Sequence, residues 1–289
     1  MISPNVIAVL LIFTLLTRAV KAASSKSVSG GPAASRVLIP FVYIVLISFG
    51  KNVTSTGALP DGYTLDNYRR LFSETQFPRW ISNSILLALA SMLLGSVLCS
   101  SAAYVFDRFR FAGKRMLYNL VLLLQIFPLT LSMISINKIF QALGLLNKLP
   151  GLILIDSTMA AAGLVFVAVG YVHNVPESLD EAAMMDGANR FQIFLHVLLP
   201  LLRPMFVFVC IQSFVTSYNE YVIASVVMNE GFEKMPLAVG LQSLIAGQYG
   251  TNWSVYCAGA VLGSIPMLVL FYLLQRNYIS GNTEGGVKE

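Results

Sequence analysis

A carboxylate inside an apolar run is the first place where this sequence could do chemistry. Glu220 follows Tyr218 and Asn219 in the stretch SYNEY. Ligand hydroxyls need hydrogen-bond partners, and aromatic faces can cover the C–H surface of a hydroxylated ring. Tyr218, Asn219 and Glu220 are therefore candidates for lining a substrate path. The same residues could instead form a polar clamp between two helices, and both interpretations stay open.

The other reactive side chains are isolated. Asp156 falls near one end of an apolar run and is expected at the membrane interface. Cys99, Cys210 and Cys257 lie within apolar runs and are expected to be small packing residues. The sequence contains no Ser/His/Asp, Cys/His or metal-ligand constellation, so we expect neither a catalytic nor a metal site in this chain.

The composition indicates an integral membrane protein. The chain has 289 residues, of which 56% are hydrophobic and 11% charged, and its mean hydropathy is +0.72. A soluble domain would carry about 25% charged residues. The length accommodates about six helical spans in one domain. The net charge of +5 fits anchoring of cytoplasmic loops better than nucleic-acid binding, because no basic run interleaved with aromatics occurs.

The apolar runs predict an all-α membrane domain over residues 37–275. Before it, residues 1–36 hold an apolar segment, which we expect to form an extra N-terminal helix, and a Ser/Gly-rich linker. After it, residues 276–289 form a polar cytoplasmic tail. The predicted spans cover residues 37–50, 80–106, 117–137 (interrupted by Pro128), 151–171, 205–228 and 253–275.

A basic cluster sets the orientation of these spans. Arg108, Arg110, Lys114 and Arg115 follow the second span within a few residues, so this end should be cytoplasmic by the positive-inside rule. Two spans later the chain returns to the same side. The charged loop at residues 174–203 is therefore expected in the cytoplasm.

This loop has the signals of two short helices. Pro176 suits a first helical position, and Glu177, Asp180 and Glu181 place negative charge at the positive end of the helix dipole. Gly187 permits a sharp bend. A second helix is predicted over residues 190–199, with an apolar face made of Phe191, Phe194, Leu195 and Leu198. Pro200 and Pro204 mark the return to an apolar span.

The spacing within the loop resembles the EAA signature of ABC importer permeases. Glu181, Ala182 and Ala183 are followed by Asp186 and Gly187, and then by Val197, Leu199 and Pro200. Val197 stands where that signature usually has Ile. The resemblance implies that the loop is a coupling helix, which docks into a cleft on a separate ATPase subunit.

Shorter segments extend the resemblance over residues 37–289. They are similar to the smaller permease subunit of maltose-type importers, a type I ABC importer permease fold. The matching segments are TLDNY at 64–68, FP at 127–128, LGLLN at 143–147, PLAVGL at 236–241 and GGVK at 285–288.

The resemblance implies a multi-subunit importer in a bacterial cytoplasmic (inner) membrane. Its other members would be a second permease subunit, two ATPase subunits that bind ATP and Mg²⁺, and an extracytoplasmic solute-binding protein. The substrate would be an oligosaccharide, either maltodextrin-like or a uronate oligomer, contacted mainly by the other permease subunit. The tail residues Gly285, Gly286, Val287 and Lys288 would contact the ATPases, and the loop residues Gly247, Gln248 and Tyr249 would enter the binding protein's cleft.

A second hypothesis is an ion-coupled transporter or channel that works without an ATPase. It would use Glu220 and Asp156 as ion- or proton-linked groups. The chain has no nucleotide-binding motif of its own, so the first hypothesis requires a partner that hydrolyses ATP, whereas the second does not.

Overall fold

The computed structural model describes residues 31–51, 53, 60–126, 129–245 and 252–284. Helices dominate these residues, with short 3-10 turns at Leu129–Ser132 and Phe232–Lys234. The helices, in chain order, are α1 (Gly31–Ser48), α2 (Asp66–Glu74), α3 (Phe77–Arg108), α4 (Lys114–Ile126), α5 (Met133–Ala142), α6 (Leu149–His173), α7 (Ser178–Met185), α8 (Arg190–Leu201), α9 (Arg203–Tyr218), α10 (Val222–Val227), α11 (Leu237–Ser243) and α12 (Trp253–Glu284).

Three helices among the described residues are long and apolar enough to cross a membrane by themselves. They are α3, α6 and the Trp253–Leu273 part of α12, and they confirm three of the predicted spans. Many leucines on these helices are exposed, such as Leu93 at 62% and Leu268 at 64%. In a membrane such side chains face lipid or another subunit, where their exposure carries no hydrophobic penalty.

The remaining apolar segments are shorter or bent. α1 begins at Gly31, so the helix takes in residues that the sequence assigned to the linker. The predicted span at 117–137 divides into α4, a 3-10 turn and α5, while Phe127 and Pro128 lie outside the described residues. α12 continues to Glu284, so part of the predicted polar tail is helical. No proline lies between Leu273 and Glu284, so every residue there can donate a helical hydrogen bond.

The chain divides into two units, unit 1 (Met1–Arg79 and Ala238–Ile265) and unit 2 (Trp80–Leu237 and Pro266–Glu289). In unit 1, the buried Asn67 on α2 donates to the carbonyls of Ser48 (3.0 Å) and Gly50 (2.9 Å). The Thr64 hydroxyl accepts from the amide of Asp66 at 3.1 Å, in the turn that leads into α2. α11 lies so close to α12 that a Cβ on Gly259 would stand 2.4 Å from Leu241 Cδ2.

Unit 2 is built on α3, α6 and α9. Its core includes Cys99 and Ala103 from α3, Val165 and Ala168 from α6, and Val209 from α9. Trp80 begins the α3 part of this unit and donates its indole N–H to the carbonyl of Phe232 at 2.6 Å.

Cys99, Cys210 and Cys257 are free thiols in buried or half-buried positions, as expected for packing residues.

Asn67→Ala should destabilise the protein, because it leaves two buried carbonyls of the α1–α2 connection without their donor. We expect a loss of about 1–3 kcal/mol in the apparent free energy of unfolding. The measurement is helix loss during a detergent-denaturant titration, followed by circular dichroism. Glu74→Ala is the matched control on the same helix. It removes only the exposed pair with Arg70 and should change stability by less than about 0.5 kcal/mol. Equal stability of the two variants would contradict the role assigned to Asn67.

Candidate functional site

The loop at 174–203 folds as two short helices joined by a glycine turn. α7 begins at Ser178, two residues after Pro176, and ends at Met185. Gly187 has φ +87°, and a Cβ built there would meet no atom within 4 Å. The bend therefore needs a residue that tolerates the left-handed region, but the space around it is open. The predicted helix–turn–helix is confirmed as local structure.

A capping box starts α8 after this turn. The Asn189 side chain accepts from the backbone amide of Gln192, and the Gln192 side chain accepts from the backbone amide of Asn189. This reciprocal pair satisfies two amides that a helix start leaves without partners. It fixes where the second helix begins relative to Gly187.

The predicted apolar face of α8 is wrong in part. Phe191 is 68% exposed and Leu195 37%, whereas Ile193 and Leu198 are fully buried. The cause is a π-helical turn at Phe194–Leu198, in which the amide of Leu199 bonds the carbonyl of Phe194. In a π turn the backbone hydrogen bond joins residues five apart instead of four. Ile193 and Leu198, which are five residues apart, therefore come to the same face. α8 then meets α9 at an 85° bend.

The buried side chain of Arg108 connects α7 to the end of α3. Arg108, at the end of α3, donates from Nε to Asp180 Oδ2 at 3.0 Å, and both side chains are 3% exposed. Arg108 also pairs with Asp107 and donates to the carbonyl of Val175 at 2.5 Å. The exposed His173 side chain also contacts this carboxylate, with 3.1 Å between His173 Nδ1 and Asp107 Oδ1.

Asp180 lies in the first turn of α7, as predicted, but its ion pair was not predicted. The available signal was the charged pair Asp107–Arg108 at the inner end of a span, where a charge needs a partner. The partner is 72 positions away in the chain, and no local pattern identifies it.

Aromatic contacts tie α8 to the same end of α3. The Tyr104 and Phe194 rings stack at 5.3 Å between centroids. The Tyr104 hydroxyl donates to the carbonyl of Arg190 at 3.4 Å, and the Arg190 guanidinium lies 5.6 Å from the centre of the Phe109 ring. Both helices of the loop are thus fixed to the segment that carries the basic cluster.

The residues of the EAA signature lie mainly on the solvent-exposed side of the loop. Glu181, Ala182, Asp186, Gly187 and Pro200 are exposed, and Ala183 is half-buried. Met185 is 88% exposed beside them. An exposed face of small, acidic and large apolar residues can accept another protein surface, whereas it holds no group arranged for covalent chemistry.

The substrate-path candidates lie at a helix break. The predicted span at 205–228 is interrupted between α9 and α10, at residues 219–221. The Asn219 side chain donates to the carbonyl of Val215 at 2.9 Å, and Glu220 Oε1 accepts from the amide of Ile223 at 2.7 Å. Tyr218 is buried and stacks on Phe214. The Glu220 side chain thus satisfies a backbone amide at the break, whereas the Val215 carbonyl also accepts from the backbone amide of Asn219 at 3.2 Å.

The Asp156 side chain is buried within the protein, while its expected position at the membrane interface stays a prediction. It is 4% exposed, and its Oδ2 has no hydrogen-bond partner among the described residues. Ser217 and Glu220 lie close enough to interact with it electrostatically. α9 packs along α6 and covers the position, which local sequence could not indicate.

The remaining predicted contacts are only partly described. Gly247, Gln248 and Tyr249 lie outside the described residues, as do Gly285, Gly286, Val287 and Lys288. The LGLLN segment is described: Asn147, at φ +56°, exchanges hydrogen bonds with Glu230 and donates its amide to the carbonyl of Val227. No cluster of three metal-ligating side chains occurs in the described part of the chain.

Comparison with known proteins gives the family context of this loop. Residues 95–280 match the family model described as "Binding-protein-dependent transport system inner membrane component". The galactooligosaccharides transport system permease protein GanQ of Bacillus subtilis is 35% identical over 258 residues, which cover 87% of this chain and 90% of GanQ. The maltose/maltodextrin transport system permease protein MalG of Vibrio vulnificus is 34% identical over 273 residues, covering 88% and 92%.

A solved structure shares the fold. A chain of a bacterial ABC transporter involved in the import of the acidic polysaccharide alginate superposes with a TM-score of 0.72 and 22% identity, over 96% of this chain and 98% of that one. The all-α, multi-pass architecture expected from the sequence is confirmed. The chain belongs to the family of binding-protein-dependent transport system inner membrane components, as a non-catalytic permease subunit of the bacterial cytoplasmic membrane.

Proposed function

We propose that this chain is one of two permease subunits of an ATP-driven oligosaccharide importer, and that the loop at 174–203 couples it to a separate ATPase. The proposal is carried by one observation: one side of this loop is bonded to the protein and the other side is exposed. Its inner side is fixed to α3 by Arg108, and its outer side exposes Gly187, Met185 and Phe191. A rigid element with one free face can transmit a partner's movement to the spans.

The exposed side of the loop is better suited to contact with a protein partner than to contact with solvent. Met185 is 88% and Phe191 68% exposed, at the end of the molecule where the basic cluster predicts cytoplasm rather than lipid. Large apolar side chains at such a site gain free energy when another surface covers them. The acidic Glu181 and Asp186 beside them provide charge for choosing that surface.

The substrate class rests on the names of the relatives. GanQ is described as a galactooligosaccharide permease and MalG as a maltose/maltodextrin permease. An oligosaccharide is the shared class, and we propose a neutral one because these relatives, at 34–35% identity, are nearer than the alginate transporter at 22%. A solute-binding protein would deliver the sugar, and the ATPase subunits would bind ATP and Mg²⁺.

In the proposed cycle, ATP binding closes the ATPase pair and draws the coupling loops of both permease subunits together. Because Arg108 joins α7 to the end of α3, the movement reaches the spans directly. The cavity between the permease subunits would then change from inward- to outward-facing. The predicted contacts at 247–249 with the binding protein and at 285–288 with the ATPases belong to this proposal.

Stimulated ATP hydrolysis tests the importer proposal. The chain, co-expressed with the permease, ATPase and binding-protein genes beside it and reconstituted in lipid, should hydrolyse ATP faster with binding protein plus one neutral oligosaccharide. Gly187→Arg should reduce this stimulation at least about tenfold, a typical loss for a blocked hot spot. A Cβ at this position meets no atom within 4 Å, but φ +87° strains a residue other than glycine, at a cost of roughly 1–2 kcal/mol. The protein level in the membrane is therefore measured in parallel and should fall much less than the stimulation.

Gly187→Asn is the matched control, because Asn tolerates positive φ and is much smaller than Arg. It should keep most of the stimulation. If no ATPase co-purifies and hydrolysis is never stimulated, the importer proposal fails and the ion-coupled hypothesis is the one to test.

Substitutions at Arg108 and Asp180 separate the roles of these two buried charges. Arg108→Gln leaves two buried carboxylates and should cost about 3–5 kcal/mol of stability, seen as a loss of protein from the membrane. Asp180→Asn leaves Arg108 with Asp107 and Val175, so the protein should persist while stimulation falls. Glu177→Gln, on the exposed start of the same loop, should resemble the wild type. Wild-type levels and stimulation in Arg108→Gln would contradict the anchoring role.

A further inference from the structure

An open groove lies beside the start of α4, within unit 2. Its volume is about 1080 Å³. The lining is mostly apolar and includes Met116, Leu120 and Leu123 from α4 and Val169 from α6, whereas Lys114 and Arg115 line it at the beginning of α4. The groove is separate from the signature residues of the loop and from the break at 219–221.

Fixed aromatic contacts form the back of the groove. The Tyr118 ring meets Phe106 of α3 edge-on at 5.5 Å and Phe166 of α6 at 4.6 Å. Two residues after Leu123, Gln125 donates to the carbonyl of Ala162 at 2.6 Å. α4 is therefore held against α6 at these points, and the groove is preformed rather than dependent on movement of the helix.

The charges at the groove lack acidic partners. Lys114 Nζ donates to the carbonyls of Asp107 (3.2 Å) and Phe109 (3.1 Å), which leaves one of its three hydrogens available. Arg115 and Arg110 are exposed and make no ion pair in the described part of the chain. The neighbouring carboxylates of Asp107 and Asp180 are engaged by Arg108.

We propose that this groove binds an anionic phospholipid of the cytoplasmic leaflet, with the phosphate on Lys114 and Arg115 and an acyl chain along Met116, Leu120 and Leu123. Basic pockets between helices at the cytoplasmic side are suited to anionic headgroups. α4 has no buried residue, so its apolar side chains need a cover. The core of a protein–protein interface tends to exclude lysine, which favours lipid over another subunit at this place.

The test places a benzophenone side chain at Leu120 in the full-length protein, in vesicles of equal phosphatidylglycerol and phosphatidylcholine. Ultraviolet adducts at Leu120 should be mainly phosphatidylglycerol. A benzophenone at Leu93, which is 62% exposed on α3 outside the groove, should capture both lipids equally. Arg115→Gln should lower the enrichment at Leu120 about fivefold, the effect of one basic residue on anionic lipid. Lys148→Gln, exposed at the opposite end of α6, should leave it unchanged.

Four outcomes would overturn the proposal. The first is equal capture of the two lipids at Leu120, and the second is enrichment that survives Arg115→Gln. The third is an adduct to a polypeptide instead of a lipid, which would make the groove a subunit contact. The fourth is loss of enrichment when soluble glycerol phosphate is added at millimolar concentration, because a phosphate site without an acyl-chain requirement would then explain the binding.

Discussion

The charge of Arg108 is removed almost entirely from water, and this constrains the cytoplasmic end of unit 2. Removing an ion from water costs several kcal/mol, which only a complete set of partners can offset. Arg108 finds them on three segments: Asp107 at the end of α3, Val175 just after α6, and Asp180 on α7. If any segment moved alone, a buried charge would lose a partner. The three segments are therefore expected to move as one body.

Because this anchoring uses the buried side of the loop, the exposed side is not needed to stabilise the fold. The inner side is occupied by Asp180, Ile193 and Leu198, all buried, and by the stack of Phe194 on Tyr104. Gly187 and Met185 can then be selected for what they contact rather than for what they support. The separation also explains why an exposed bend can be rigid, since the capping box at Asn189 fixes α8 by local hydrogen bonds.

What the sequence could predict depends on the range of the interaction. The glycine bend, the helix pair and the long spans were predictable, because proline, glycine and apolar length act within a few residues. The burial of Asp180 was not, since its partner lies 72 positions away. The π turn at Phe194–Leu198 shifts the apolar face without any change in hydrophobic periodicity. The burial of Asp156 was not predictable either, because it depends on the packing of α9 along α6.

The break between α9 and α10 bears on the two interpretations of Glu220. Within an apolar span, an interrupted helix leaves backbone groups that need partners. Glu220 supplies one to the amide of Ile223, whereas the Val215 carbonyl that the Asn219 side chain reaches also accepts from the backbone amide of Asn219. The bond to Ile223 gives Glu220 a structural part at this break. A carboxylate can accept about four hydrogen bonds, so Glu220 keeps the capacity to accept from a ligand hydroxyl, and the two roles are compatible.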